Sequence, residues 1–221
     1  MCGRFSLFAP AEQLQAIFHI SNMSDLPYAP RYNIAPSQDV LTVIYDGRER
    51  RGGFLRWGLI PSWLKSPKSK YTMINARAET VNEKPSFKRL LANRRCLIIA
   101  DGFYEWKKKN GTKQPYRITM KNQRPFAFAG LWDRWEGENQ ILTTCTIITT
   151  AANDVVQPIH KRMPMILTEE QQAIWLNPSI QDPYVLKENL QPHPPEKMTA
   201  YKVSALVNSP KNDMPEIIQE L

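Results

Sequence analysis

Short β-branched and apolar runs, cut at close intervals by turn residues, constrain the fold of this chain more than any other feature. Val40-Leu-Thr-Val-Ile-Tyr45 stops at Asp46-Gly47, a pair that signals a hairpin, and residues 54–60 read as the partner strand. Arg95-Cys-Leu-Ile-Ile-Ala100 predicts a buried strand that exits through Asp101-Gly-Phe-Tyr-Glu-Trp106, and Lys107-Lys-Lys-Asn-Gly111 predicts a hairpin tip with an Asn-Gly turn. Strands continue over 116–120, 126–132 and 141–149, and a last one over 198–203 closes the chain. Eighteen prolines against nine glycines add fixed turns and keep the strands short. Helices are few. One spans 10–18 with Pro10 at its start, and one spans 82–93 with Pro85 in its first turn and Phe87, Leu90 and Leu91 on one face. A third opens on the capping box Thr168-Glu-Glu-Gln171 and runs through Trp175 and Leu176, and a short fourth lies around 184–190. Close-spaced strands with isolated helices predict an α+β fold, a mostly antiparallel sheet or barrel with a few peripheral helices. With no linker or repeat, and a Pro-rich stretch at 191–196 too short to divide it, residues 1–221 read as one domain.

Composition excludes several classes. A 42% hydrophobic, 23% charged chain of 221 residues can bury a sizeable core. Uncharged apolar runs such as 96–100 fall far short of the ~20 residues that a membrane span needs. The start of the sequence lacks the basic flank and apolar run of a secretory signal. Three cysteines, at 2, 96 and 145, cannot form a disulfide framework, and Cys96 and Cys145 read as buried and inert. The expectation is a soluble cytoplasmic monomer without membrane attachment. Its net charge of +8 is unevenly placed: residues 48–124 carry 20 basic and 5 acidic side chains, the remainder 9 and 16. A basic middle suggests a polyanion surface, nucleic acid being the commonest; the alternative is a lysine-rich face kept for solubility.

Chemistry concentrates at a few positions. If Met1 is excised, Cys2 leads the chain with an α-amine (pKa ~7.7–8.0) and a thiol (~8.5), both partly nucleophilic near neutrality. Such a 1,2-aminothiol reacts with an aldehyde, the amine forming a Schiff base and the thiol closing a thiazolidine; the alternative is an incidental cysteine. Glu105, set in Gly102-Phe-Tyr-Glu-Trp106, should be desolvated and its pKa raised, ready for acid–base work, unless a nearby lysine pairs with it. His160 lies in a loop bracketed by Pro158 and Pro164 and flanked by Lys161 and Arg162, which suits phosphate or sugar contact. Alternation through Ile74-Asn-Ala-Arg-Ala-Glu79 puts Asn75, Arg77 and Glu79 on one side of an extended segment. Three histidines and three cysteines show no zinc spacing, and neither a metal nor a cofactor is expected.

Six ordered segments resemble one family. Met1-Cys-Gly-Arg-Phe5, Arg31-Tyr-Asn-Ile-Ala-Pro36, Arg56-Trp-Gly-Leu-Ile-Pro61, Asn75-Ala-Arg-Ala-Glu79, Asp101-Gly-Phe-Tyr-Glu-Trp106 and His160-Lys-Arg-Met-Pro164 look like the SOS-response-associated peptidase (SRAP) family, whose members shield abasic sites in single-stranded DNA. The resemblance implies that Cys2, freed of Met1 by the chain's own peptidase action, crosslinks to the ring-opened aldehyde of an abasic deoxyribose. It implies lyase-type DNA–protein crosslinking with Asn75 orienting the Cys2 amine and a sugar hydroxyl, Glu105 shuttling protons and His160 assisting ring opening. The partner implied is abasic single-stranded DNA, with nucleoid association when bound. Arg4, Arg77 and Arg162, each beside one of these residues, are the expected phosphate contacts, and Trp63 and Trp106 the expected base-stacking residues. Trp57 reads as core. Two other classes remain for comparison. An N-terminal-nucleophile glutamine amidotransferase also begins Met-Cys-Gly, with Asn110-Gly111 as its oxyanion pair; a non-catalytic single-strand-binding module would share the charge and the aromatics.

Overall fold

The computed structural model describes residues 2–67, 72–109 and 111–221, so Met1 and the Asn110 of the Asn110-Gly111 pair lie outside the described residues. In chain order the elements begin with β1 (Phe5–Leu7), α1 (Ala11–Phe18), β2 (Arg31–Ile34), β3 (Asp39–Tyr45), β4 (Arg50–Trp57) and β5 (Asn75–Arg77). Next come α2 (Pro85–Asn93), β6 (Arg95–Ala100), β7 (Gly102–Lys109), β8 (Thr112–Met120), β9 (Phe126–Glu136) and β10 (Ile141–Ala151). The chain continues through β11 (Arg162–Pro164), β12 (Ile166–Leu167), α3 (Glu169–Leu176), α4 (Pro183–Glu188) and β13 (Met198–Lys202), followed by 3₁₀ turns at Ala205–Asn208 and Pro215–Ile218. This is an α+β fold, mostly sheet, with a closed barrel at its centre.

The barrel is a ring of five strands, β10-β4-β3-β6-β9, that returns to β10. All its pairings are antiparallel except β10–β4, a short parallel ladder at Thr144↔Arg56 and Cys145↔Trp57. Beyond that ladder β10 pairs with β5 on one side and β11 on the other. A second sheet, in the order β13-β8-β7-β1-β2, lies against one end of the ring. Phe5 of β1 joins the two, packing on Trp57 and Phe128 of the barrel at ring-centroid distances of 5.2 and 5.7 Å. Trp57 is core as expected: it is fully buried and its indole N–H donates to the Ile74 carbonyl.

The strand after the Asp46-Gly47 turn is Arg50–Trp57 rather than 54–60. The tight turn sets Tyr45 opposite Arg50, and Gly58, at φ 132°, ends the strand. The expected tip over 107–111 begins later, because β7 runs on to Lys109, opposite Thr112. The Thr168 capping box forms in full. Two cations of the basic middle are not on the surface. Arg95 is buried and donates to the carbonyls of Leu91, Ala92, Trp175 and Asn177, tying α2 to α3. Arg117 is buried in an ion pair with Asp101, 3.2 Å away. Among the described residues, no helix is long and apolar enough to cross a membrane.

Candidate active site

Antiparallel register between β1 and β7 places the start of the chain. Phe5 faces Phe103, and the Tyr104 amide donates to the Arg4 carbonyl, so one further step sets Gly3 opposite Glu105. The strand pair is pinned by Asp101, whose carboxylate accepts from the Ser6 hydroxyl and from the amides of Phe8 and Ala9. Cys2 therefore lies at the end of a strand held at several points and is completely buried. Burial, with the Glu105 charge nearby, pushes its thiol pKa well up, so the resting sulfur keeps its proton.

Three other segments converge there. Asn75 opens β5, which runs parallel to β10 with Asn75 facing Ile147, and its amide donates to the Cys2 carbonyl at 2.9 Å. That bond holds the main chain of Cys2; the amine was the expected partner. Asn75 Oδ1 is buried and has no partner among the described residues. Glu105 is 3% exposed, and burial raises its pKa, an effect that the charge of His160 partly offsets. His160 closes the group. Successive turns over 153–160, including His160 N–H to the Val156 carbonyl, return the ring so that Nδ1 is 3.9 Å from Glu105 Oε1. Nδ1 also lies 3.0 Å from the Arg162 amide. Where it accepts that N–H, the ring proton of a neutral imidazole sits on Nε2. Cys2, Asn75, Glu105 and His160, predicted from four separate motifs, thus come together.

The expected DNA contacts fare differently. Arg4 donates to Asn33 Oδ1 at 2.7 Å and to the Val207 carbonyl at 2.6 Å, and its guanidinium lies 6.0 Å from the centre of the Trp106 ring. Both bonds leave from Nη1, and the residue is half-buried. Arg162 is held by both oxygens of Glu79, at 2.6 and 3.1 Å, and by the Thr149 carbonyl. Arg77 is exposed, as is Trp63 at 60%. Trp106 is half-buried, its indole N–H donating to Asn208 Oδ1 at 2.7 Å.

Asn208 was missed by sequence reasoning. It lines a cleft of about 440 Å³ together with Glu105, Trp106 and His160, while Lys108 and Lys113 make the rim basic. Its segment is clasped by Asn33, whose amide donates to the carbonyls of Ser209 and Asn212, and by Asp213, which binds the Arg31 side chain and the amides of Tyr32 and Asn33. The only signal in the sequence was Asn33 itself, inside the quoted segment 31–36.

The comparisons agree with one another. The family model described as SOS response associated peptidase (SRAP) matches residues 1–210. The chain is 52% identical over 222 residues to the abasic site processing protein YoqW of Bacillus subtilis (strain 168), covering 99% of each. It is 35% identical over 222 residues to the abasic site processing protein HMCES of Xenopus tropicalis, covering 86% of this chain and 65% of that one. An X-ray structure of a protein from Bacteroides thetaiotaomicron matches the whole chain with a TM-score of 0.85 at 31% identity.

Proposed function

Because the chain belongs to the SOS response associated peptidase family, we propose that it processes abasic sites in single-stranded DNA by linking Cys2 covalently to the deoxyribose aldehyde. The observation that carries this reading is the convergence of Cys2 with Asn75, Glu105 and His160 at one strand end.

Hydrolysis of the Met1–Cys2 peptide bond first frees the α-amine. The amine nitrogen then attacks the aldehyde carbon of the opened sugar, giving a carbinolamine. Its hydroxyl leaves as water when Glu105, whose raised pKa keeps the acid form nearer neutrality, delivers a proton. Glu105, now a carboxylate, takes the thiol proton of Cys2 as sulfur attacks the imine carbon, and the ring nitrogen ends protonated as a secondary amine. One water is lost overall and nothing is oxidised or reduced. A protonated resting thiol suits this order, since sulfur is needed only at the second bond. Asn75 keeps Cys2 in place through its carbonyl, and its buried Oδ1 is the acceptor for a sugar hydroxyl. His160 Nε2 assists opening of the hemiacetal. Phosphate contact falls to Arg77 and Arg162, and stacking to Trp63, while Arg4 braces the cleft wall.

Intact mass of the purified protein, with and without an oligonucleotide carrying one abasic site, tests this directly. The expected result is a chain lacking Met1 that gains the mass of the oligonucleotide less one water. Absence of any adduct from chains lacking Met1 would overturn the reading and favour a non-covalent binder. Cys2→Ser should keep a transient, reducible imine and lose the heat-stable adduct; a stable adduct equal to wild type excludes ring closure by sulfur.

A further inference from the structure

Two adjacent glycines in β4 have opposite surroundings. A Cβ on Gly52 would fall 2.7 Å from Leu26 and 2.9 Å from Ile20, so packing outside the barrel demands glycine there. A Cβ on Gly53 would meet nothing within 4 Å, and Gly53 is not among the positive-φ positions. Glycine within a strand is less favourable than alanine because it gives up more backbone freedom on folding, and neither geometry nor packing accounts for it at position 53. Such a residue marks a place where something else approaches the backbone.

Gly53 lines a cavity of about 570 Å³ at the open end of the barrel, where the β3–β4 and β9–β10 pairs run on past the short ladder that joins β4 to β10, a volume in the range of ~300–1,000 Å³ typical of small-molecule sites. Its walls have two characters. Leu55, Trp132 and Ile141 supply apolar area, and Ile141 is 57% exposed although it sits on a barrel strand. Arg51, Arg94 and Arg134 supply three cations against the single carboxylate of Glu136. Arg94 lies 4.2 Å over the Trp132 ring. Arg134 pairs with Glu136 at 3.0 Å and Arg51 with Glu49 at 3.7 Å, all four about half-exposed, and such pairs exchange readily for a better anion. The cavity is remote from Cys2. Ile141 and Thr149, which bonds Arg162, lie eight residues apart along β10, or ~26 Å at strand spacing. Fully buried Trp57, Cys96 and Cys145 fill the space between.

We propose that the open end of the barrel is a second ligand site, and that it takes a nucleoside phosphate. An anion alone would leave the apolar wall unused, and an apolar ligand alone would cover three cations without using their charge. A nucleoside phosphate uses both, its base against Trp132 and Ile141 and its phosphate on the arginines. Such a ligand arrives either free or as the end of a DNA strand.

The test is an amide and indole NMR titration of the intact protein with deoxyadenosine 5′-monophosphate, with an undamaged 5′-phosphorylated oligonucleotide, and with inorganic phosphate. Saturable shifts at Gly53, Thr143 and the Trp132 indole with either nucleotide probe support the site, and the stronger arm identifies the free or strand-borne source. Gly53→Ile projects a branched side chain into the cavity from a position whose Cβ meets no atom within 4 Å, and should weaken these shifts at least about tenfold, with abasic-site processing unchanged. Arg51→Ala combined with Arg134→Ala, two exposed changes that leave the barrel intact, should weaken them to a similar degree. No saturable shift from either nucleotide, shifts that persist in both variants, or phosphate alone binding as tightly as the nucleotide would each overturn the proposal. Processing at Cys2 is measured separately, so failure of one site does not mimic failure of the other.

Discussion

Glu105 carries its carboxyl into a place with almost no water, and that has consequences at the scale of the single residue. Burial raises its pKa in the folded protein above the value in the unfolded chain. The folded state then holds the proton over a range where the unfolded state has lost it, so stability declines as pH rises from the ordinary carboxylate range through the folded pKa. Glu105→Gln removes that decline. The melting temperature of the variant relative to wild type should therefore increase as pH rises, and a difference that is constant across pH would contradict the assignment. Crosslinking should slow by about 10²–10⁴-fold in the same variant, and reversal likewise, because the same proton transfers run backwards. His160→Ala should slow formation mainly at sugar opening. Kinetics on a natural abasic site and on an analogue with a pre-opened aldehyde check this: much of the rate returns on the analogue, whereas equal defects leave His160 a structural contact.

Among the elements, the C-terminal strap does what no local pattern announced. Asn208→Ala should free the Trp106 indole, raising the concentration of abasic strand needed for half-maximal crosslinking more than it lowers the maximal rate, with about 1 kcal/mol of stability lost. Asn208→Asp, which keeps an acceptor for the indole N–H, should restore most of the affinity; a variant with unchanged half-saturation would sever the strap from substrate binding. Thr168→Ala offers a contrast, costing about 1 kcal/mol through the lost cap on α3 with no effect on crosslinking. The α3 cap was legible because Thr168 and Gln171 satisfy each other within one turn. The Asp46-Gly47 turn and the apolar face of α2 were legible from neighbouring residues too, although the partner strand is Arg50–Trp57 rather than 54–60 and α2 starts at Pro85 rather than 82. What escaped is long-range. The strands β1 and β2 are short, and their pairing is secured by Asp101 and Asp213, from distant parts of the chain. The parallel ladder that closes the barrel spans two register pairs with no sequence signature. Cys2, Asn75, Glu105 and His160 could each be singled out for their chemistry and motif, but the bond from Asn75 to a carbonyl depends on a backbone position that composition does not carry.

Across the molecule, charge counted along the sequence overstates charge presented to a ligand. Arg95 and Arg117 contribute to the basic middle but spend their donors on carbonyls and on Asp101. Burial draws the Arg95 pKa down to about 10, which still leaves it charged at neutrality. Affinity for an undamaged single strand should fall with salt, and Arg77→Ala should reduce the slope of log K against log salt by up to ~0.7 with base preference unchanged. Filter binding across a salt series measures it, and an unaltered slope would remove Arg77 from the phosphate contacts.

The order of the cleft's parts along the chain also sets when it can work. Synthesis proceeds from Cys2 towards Asn208, and the residues gathered around the sulfur come from positions 75, 105 and 160, with the wall at 208. Contacts so far apart in sequence form slowly and late. An unfinished chain therefore carries Cys2 before Glu105, His160 and Asn208 are in place around it. On the proposed reading, what arrives only with the completed fold is the assistance of Glu105 and His160, together with the cleft that selects the aldehyde brought to Cys2.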